Sequence, residues 1–418
     1  MSGLALIAAA LGASVTGSDR VETGYMTPLR ELGIEPVIGF AAANVPDGAQ
    51  VVYSSAYGTD NPERRTAATE IHRADLLAEI ASLRRCIAVT GTHGKTTTTA
   101  MIVHALRGVG LDPSYVVGGE LRATGSNAGW GKGEWIVIEA DESDRSLLKL
   151  APEIAVLTNA ELDHHTTYAS RLDLERTLAG FMSSATGAAV VWDRPALRAL
   201  CPPGAIAYDA TAVKLSPSGS SFEWRGQQVR LAVLGAHNAI NAAGALTACV
   251  LAGAPPAAAA ALHDFAGARR RMEPVGVTAS GARVFDDYAH HPTEVAAAIA
   301  AARTLRPRRL LAVFQPHLYS RTRAFARGFG RALSRADVAV VLPIYEARER
   351  AGDFPGVSGL AVAEAAADAS RGLQVAWMTS FEAARGYLDA TLREGDLCLV
   401  MGAGNVDSLA RSLVAEGS

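Results

Sequence analysis

Cysteine is scarce in this 418-residue sequence, and Cys86, Cys201, Cys249 and Cys398 stand far apart with no C-x-x-C pair. That spacing excludes a disulfide framework and a zinc knuckle, and it points to a reducing compartment. Charge of one sign is also lacking: 39 basic against 42 acidic residues leave a net charge of −3. Nucleic acid and anionic membrane surfaces therefore find no polybasic partner here. No stretch reaches the roughly 18 apolar residues of a membrane span. The apolar opening, residues 2–13, has no basic residue ahead of it and runs into a strand-like Ser14–Asp19, so it does not read as a signal peptide. The expected location is the cytoplasm. Repeats are absent, and low complexity is confined to a few alanines at 257–261. His290, His291 and His317 fall into no H-x₃-H or H-E-x-x-H spacing, which argues against zinc.

What is present is an alternation of short β-branched runs with Ala/Leu-rich helical patterns, the mark of an α/β protein with largely parallel sheets. At about 150 residues per domain, the length suggests two to four domains. The first eighty residues read helix, strand, helix, strand, the second strand being Ala49–Tyr53 closing on Ser54-Ser55-Ala56. The first strand ends at Asp19. In a Rossmann-like unit an acid tips the second strand about 20 residues after a glycine-rich turn. Counting back puts that turn at or before Met1, so the expectation is a unit short of its first strand and glycine loop; a nicotinamide dehydrogenase would give the same pattern. A second unit opens with the strand Cys86–Val89. A third follows Gly267-Ala-Arg-Arg-Arg271, with a strand at 283–285 and βα units at 309–315, 338–343 and 397–401.

The strongest local signal is Thr90-Gly-Thr-His-Gly-Lys-Thr-Thr97, lying between an apolar strand and a helix expected to start near Thr98. Gly91 and Gly94 let backbone N–H groups, those of Thr92, His93 and Thr97 included, turn toward phosphate oxygens, and the helix N-terminus adds partial positive charge. Lys95 would neutralise the β and γ phosphates of a nucleotide triphosphate, and the Thr96 hydroxyl would ligate Mg²⁺. The loop is shorter than the usual G-x-x-x-x-G-K-[ST]. Two polar clusters cap the next strands: Glu139-Ala-Asp-Glu-Ser-Asp144 after Trp135–Ile138, and Thr158-Asn-Ala-Glu161-Leu-Asp163-His164-His165 after Ile154–Leu157. Ligands in α/β sheets bind beyond the carboxyl ends of strands. Glu139 suits Mg²⁺ as a hard oxygen ligand, and a neutral His164 could complete a second site. Asp144 and Ser143 fit helix N-caps equally well, and His165 reads as a bystander.

Six segments in this order resemble the Mur ligase family: Gly91–Thr98, Glu139–Asp144, His237-Asn-Ala-Ile-Asn241, Asp286-Asp-Tyr-Ala-His-His-Pro-Thr-Glu294, Phe314-Gln-Pro-His-Leu-Tyr-Ser-Arg-Thr322 and Gly402-Ala-Gly404. The resemblance runs the length of the chain. It implies three domains: a Rossmann-like UDP-sugar-binding domain at 1–83, a P-loop ATPase-like domain at 84–268, and a Rossmann-like amino-acid-binding domain at 269–418. It also implies ATP and Mg²⁺ as cofactors, UDP-N-acetylmuramate and L-alanine as partners, and a monomer or homodimer. Lys95, Glu139, His164 and Arg271 match catalytic positions, with Thr96, Glu139 and His164 as metal ligands. His237 and Asn241 match adenine contacts, Arg271 the arginine that reaches the phosphates, and Asp287 a ribose contact. Tyr288, His290, His317 and Arg321 match the amino-acid side, while Ser18, Asp19, Ser54 and Ser55 match the UDP pocket. Taken without the family, His237 and Asn241 are a helix cap and a surface residue one turn apart, and Arg321 with Arg323 is a solvated charged face. The chain departs from the family in that the loop ending Gly-Met-Ser-Gly begins only at Met1, and Thr166 stands where relatives commonly carry an acid. Neighbouring readings are a ligase that attaches a ready-made tripeptide to the same sugar, a folylpolyglutamate synthase, and an ATP-binding module without turnover.

Overall fold

The structure is a computed structural model that describes residues 1–414. The chain divides into two compact units. The first comprises Met1–Leu162, Thr167–Ala210 and Ile240–Ala268; the second comprises Asp163–Thr166, Thr211–Ala239 and Arg269 onward.

In the first unit the N-terminal stretch makes two separate parallel pairs: β1 (Ser18–Asp19) with β2 (Val37–Ile38), and β3 (Gln50–Tyr53) with β4 (Thr69–His72). β1 is only two residues long, so most of the strand-like run from Ser14 stays outside any ladder. The helix Ser2–Ala10 buries Leu4, Leu6 and Ile7 in the same apolar cluster as Ile136, Leu157 and Phe181. The main sheet has seven strands: β5 (Arg85–Thr90), β6 (Ser114–Leu121), β7 (Ser126–Gly129), β8 (Trp135–Glu139), β9 (Ile154–Leu157), β10 (Ala188–Trp192) and β11 (Ile206–Tyr208). Their order is β11-β10-β9-β5-β8-β6-β7, all parallel except the β6–β7 edge. β5, β8 and β9 are almost continuously apolar because both faces of this parallel sheet are covered. β5 sits between β9 and β8, so three adjacent carboxyl ends carry the glycine loop, Glu139 and Thr158. The helix after the loop starts at Lys95, three residues before the expected Thr98, because Gly94 at φ +78° provides the turn into it.

The second unit contains a three-stranded antiparallel sheet that the alternation of parallel units did not anticipate: β12 (Thr211–Ser216), β13 (Gly219–Trp224) and β14 (Gln227–Leu231). Arg225 and Gly226, both at positive φ, close its tight hairpin. The larger sheet holds β15 (Glu273–Val277), β16 (Arg283–Asp287), β17 (Leu310–Phe314), β18 (Val338–Val341), β19 (Gln374–Trp377) and β20 (Leu397–Met401), in the order β15-β16-β20-β17-β18-β19. Only β15, which pairs with β16, runs antiparallel. Two apolar clusters, one around Ile299, Phe314 and Phe329 and one around Val313, Val340 and Leu388, sandwich this sheet. No helix among the described residues is long and apolar enough to cross a membrane.

The helices Tyr319–Leu333 and Leu360–Ala369 approach so closely that a Cβ on Gly330 would lie 2.4 Å from the Ala365 carbonyl carbon. Backbone cannot yield as a flexible side chain can. Gly330→Ala is therefore expected to destabilise the protein by roughly 1–3 kcal/mol, outweighing the ~1 kcal/mol by which alanine favours a helix. Chemical denaturation checks the sign: a variant as stable as the parent or more so would contradict the packing.

Candidate active site

The first unit assembles the phosphate loop from the sheet outward. Gly91 leaves β5 at φ +128°, and a Cβ there would stand 2.3 Å from Thr158 Oγ1 and 2.8 Å from the Asn159 carbonyl. At Gly94 a Cβ would stand 2.6 Å from Asn241 Oδ1. Both positions need glycine, for backbone conformation and for space. The loop is braced from the next strand end: Asn159 Oδ1 accepts from the His93 amide, and Thr158 Oγ1 and Asn159 Nδ2 donate to the His93 carbonyl. Thr92 Oγ1 donates to the Glu161 carbonyl and accepts from its amide, and Thr97 is buried at the start of the helix.

Lys95 Nζ folds back to donate to the Gly91 carbonyl at 2.7 Å and meets Glu142 Oε2 at 2.8 Å, where Glu142 is almost wholly buried. Burial works to lower the ammonium's pKa, but Glu142, then Asp141 and Glu139, outweigh it and hold it above the usual lysine range. Lys95 is therefore a permanent cation. Thr96 Oγ1 donates to Glu139 Oε1 at 3.0 Å, and the Gly118 amide donates to Glu139 Oε2 at 2.6 Å. A Cβ at Gly118 would collide with that carboxylate, so this glycine of β6 makes room for Glu139. The cradle fits a nucleotide's phosphates, and the hydroxyl–carboxylate pair is a hard-oxygen set suited to a divalent cation. Asp144 Oδ1 accepts from the Ser146 amide, and its Oδ2 meets Arg73 at 2.6 Å and accepts from Ser55 Oγ. Ser18 Oγ donates to Glu63, Asp19 Oδ1 accepts from the Arg20 amide, and Ser54 Oγ accepts from the Ala56 amide.

In the second unit, Arg321 grips Asp163 with two bonds of 2.9 and 3.0 Å, and both side chains are nearly inaccessible. Burial alone would raise the Asp163 pKa, but Arg321 and then His164 hold the carboxyl well below the usual range. Arg321 Nη1 meets His317 Nδ1 at 2.7 Å, and the His317 ring stacks on Tyr345. His290 lies 6.0 Å from His317, ring to ring, and edge-on to Tyr288. Thus four residues predicted to serve one substrate are neighbours. His164, at φ +52°, takes its backbone N–H to Asp163.

Asp287 uses its two oxygens on the amides of Met272 and Ala289, shaping the turn after β16, and burial raises its pKa. The Arg271 guanidinium lies over the Tyr288 ring. Its neighbour Arg270 is instead built into the fold, bonded to Asp286 and to the carbonyls of Gly402 and Gly404. His237 lies partly buried at the start of the helix Ala236–Leu251, and Asn241 lies one turn later. Sequence reasoning missed Glu142 as the partner of Lys95 and Asp163 as the partner of Arg321. Glu142 stood in a segment already singled out; the Asp163 pairing spans 158 positions and leaves no local trace.

Three family models match the chain: "Mur ligase family, catalytic domain" over residues 1–85, "Mur ligase middle domain" over 89–249, and "Mur ligase, glutamate ligase domain" over 270–404. A UDP-N-acetylmuramate–L-alanine ligase of Rubrobacter xylanophilus is 43% identical, over 99% of this chain and 97% of its own length. One from Streptomyces griseus is 41% identical, over 98% and 93%. Among solved structures, the UDP-N-acetylmuramate–alanine ligase of Thermotoga maritima superposes with a TM-score of 0.84 at 25% identity, covering 99% of this chain and 95% of the other. A murein peptide ligase of Psychrobacter arcticus gives 0.71 at 24% identity, covering 99% and 97%, and shows likeness of fold alone.

Burial pushes His237 and His290 down to about 4, and His317 to about 2, from an ordinary 6.5. These rings are neutral when folded, whereas the unfolded chain protonates them below 6.5. Their contribution is thus whole above that value and is lost as pH falls toward 4, at about 1.4 kcal/mol per pH unit for each proton taken up. Asp286, raised by burial to about 6, works in the opposite sense between its ordinary 3.8 and 6. Asp287, whose pKa burial also raises, acts in the same sense as Asp286. Three histidines outweigh the two carboxyls, so the thermal midpoint is expected to fall by several degrees between about pH 7 and about pH 5. A flat or rising midpoint over that interval would refute neutral burial of the three rings.

Proposed function

We propose a function from one premise: the chain belongs to the Mur ligase family. It joins L-alanine to the lactyl carboxylate of UDP-N-acetylmuramate at the expense of ATP, in the synthesis of cell-wall peptidoglycan in the cytoplasm. Residues 1–83 take the UDP-sugar, 84–268 the nucleotide and 269–418 the amino acid, in a monomer or homodimer.

A carboxylate resists attack because its charge repels nucleophiles and it has no leaving group. Transfer of the γ-phosphoryl group to a carboxylate oxygen, with departure of ADP, gives an acyl phosphate. The amine of alanine then attacks the carbonyl carbon; the C–N bond forms, the C–O bond to phosphate breaks, and the nitrogen gives up its proton. Phosphoryl transfer asks mainly for positioning and charge neutralisation. Lys95 answers that need as a permanent cation fixed by Glu142, and Arg271 supplies a second positive charge. The Gly91–Gly94 turn offers amide hydrogens to the phosphates, while His237, Asn241 and Asp287 hold the nucleoside. Thr96, Glu139 and His164 would hold Mg²⁺, which when bound would draw off negative charge from the transferring group. Ser18, Asp19, Ser54 and Ser55 line the UDP side, and Tyr288, His290, His317 and Arg321 the alanine side. The observation that carries this reading is the glycine turn with Lys95 gripped by a buried carboxylate, beside a Thr96–Glu139 pair.

Release of ADP and phosphate that requires both UDP-N-acetylmuramate and L-alanine is the expected result. A requirement for a preformed tripeptide or for folate would overturn it in favour of a sister activity, and nucleotide binding without turnover would overturn it altogether. Lys95→Ala is expected to lower the rate by at least 10²–10³-fold, roughly the loss for one electrostatic group. That change also strips Glu142 of its Lys95 partner, which costs about 3–5 kcal/mol for a buried pair. The double variant Lys95→Ala with Glu142→Gln should regain stability without regaining turnover. Turnover near that of the parent in either variant would end the assignment of Lys95.

A further inference from the structure

The second unit holds two imidazoles in opposite protonation forms. Every nitrogen of arginine is a donor, so the 2.7 Å contact from Arg321 Nη1 requires a lone pair on His317 Nδ1. The ring proton of His317 is then on Nε2. A carbonyl oxygen only accepts, so the 2.9 Å contact between His290 Nδ1 and the Tyr288 carbonyl requires a proton on that Nδ1. Glu294 Oε2, 3.3 Å from the same nitrogen, asks for the same form. His290 therefore carries its lone pair on Nε2. Neither Nε2 meets a protein partner among the described residues, and both residues keep a minor part of their surface exposed.

Each form is fixed by its surroundings. Arg321 cannot swing away from His317, because Asp163 takes two of its nitrogens in a site closed to water. Leu318, at φ +67° and ψ 137°, occupies a backbone region that leucine rarely adopts, and this turn starts the helix directly after His317. Stacking on Tyr345 sets the plane of the ring. Burial keeps both histidines uncharged near neutrality.

An amino acid presents an acceptor at its carboxylate and donors at its amino group. We propose that His317 and His290 are a donor–acceptor pair for the incoming amino acid: His317 Nε2–H donates to its carboxylate, and His290 Nε2 accepts from its amino group. This rests on the ligase reading above and deepens it. Arg321 is a positioning residue, since its charge is already met by Asp163; His317, with no lone pair on Nε2, does not act as a base there. Two neutral rings also add no positive charge of their own beside the amino group, which a charged ring would repel while protonated.

The protonation forms can be read on the intact wild-type enzyme, with no ligand, from the ¹⁵N shifts of labelled histidines assigned through single variants. The expected spectrum has His317 protonated at Nε2 and His290 at Nδ1; the same form at both, or either ring charged near neutral pH, overturns the proposal. Kinetics give a second reading. The amide nitrogen of glutamine reaches the place of Nε2, and that of asparagine the place of Nδ1. His317→Gln should keep the KM for L-alanine within about threefold of wild type, and His317→Asn should raise it about tenfold or more, as loss of a hydrogen bond to a charged group requires. The KM for ATP should stay the same in both. Equal rises in the two variants overturn the donor role. Absence of alanine-dependent ADP release in the wild type would instead sink the ligase reading, and the ¹⁵N spectrum would still report on the pair.

Discussion

A charge removed from water must be met by another, and this constraint shapes both units. An isolated buried ion costs several kcal/mol even after relaxation, so several buried charges here carry an opposite charge with them. Lys95 brings Glu142, Arg321 brings Asp163, Arg270 brings Asp286, and Arg309 brings Asp396. Such pairs add little net stability against an apolar core. What they supply is direction: a guanidinium held at two nitrogens by a carboxylate has one orientation left for the third. In the second unit that third nitrogen determines the form of His317.

Parallel sheets convert this direction into location. All strands of β5, β8 and β9 end on one edge, so the glycine turn, Glu139 and Thr158 arrive together without long loops. In the second unit β16, β20 and β17 are adjacent, and the residues just past their ends are Tyr288, Gly402 and Gln315. Glycine appears at these ends where space runs out: a Cβ on Gly404 would lie 2.5 Å from Gln315 Oε1 and from Tyr345 Cγ. Gly118 plays the same part beneath Glu139. Small residues there are the other face of large polar groups packed close to backbone.

Much of this was legible in the sequence, for reasons that differ by segment. The apolar runs 86–89, 135–138 and 154–157 can only be strands covered on both faces, and the Gly-Lys-Thr turn after the first has few other uses. The six ordered segments carried the family, and the relatives agree along the chain. The sheet at 211–231 escaped because its short strands are joined by tight turns and not spaced by helices as parallel strands are; the Arg225-Gly226 pair was the missed hairpin signal. The Asp163–Arg321 pair escaped for a deeper reason. Taken alone, Arg321 reads as part of a solvated face, and only tertiary folding brings a carboxylate from 158 positions away to bury it.

The two sites differ in kind, and the chemistry explains why. Moving a phosphoryl group concentrates negative charge, which fixed cations and amide dipoles must answer; hence a lysine whose pKa is raised by three carboxylates and can never act as a base. Presenting an amine as a nucleophile asks for the reverse. The nitrogen must keep a free electron pair, so strong positive charge nearby would work against it, yet the carboxylate of the same molecule still needs a donor. Arg321 could have met that carboxylate directly. With its charge already balanced by Asp163, it passes on a hydrogen-bond direction through His317 and leaves the added positive charge behind.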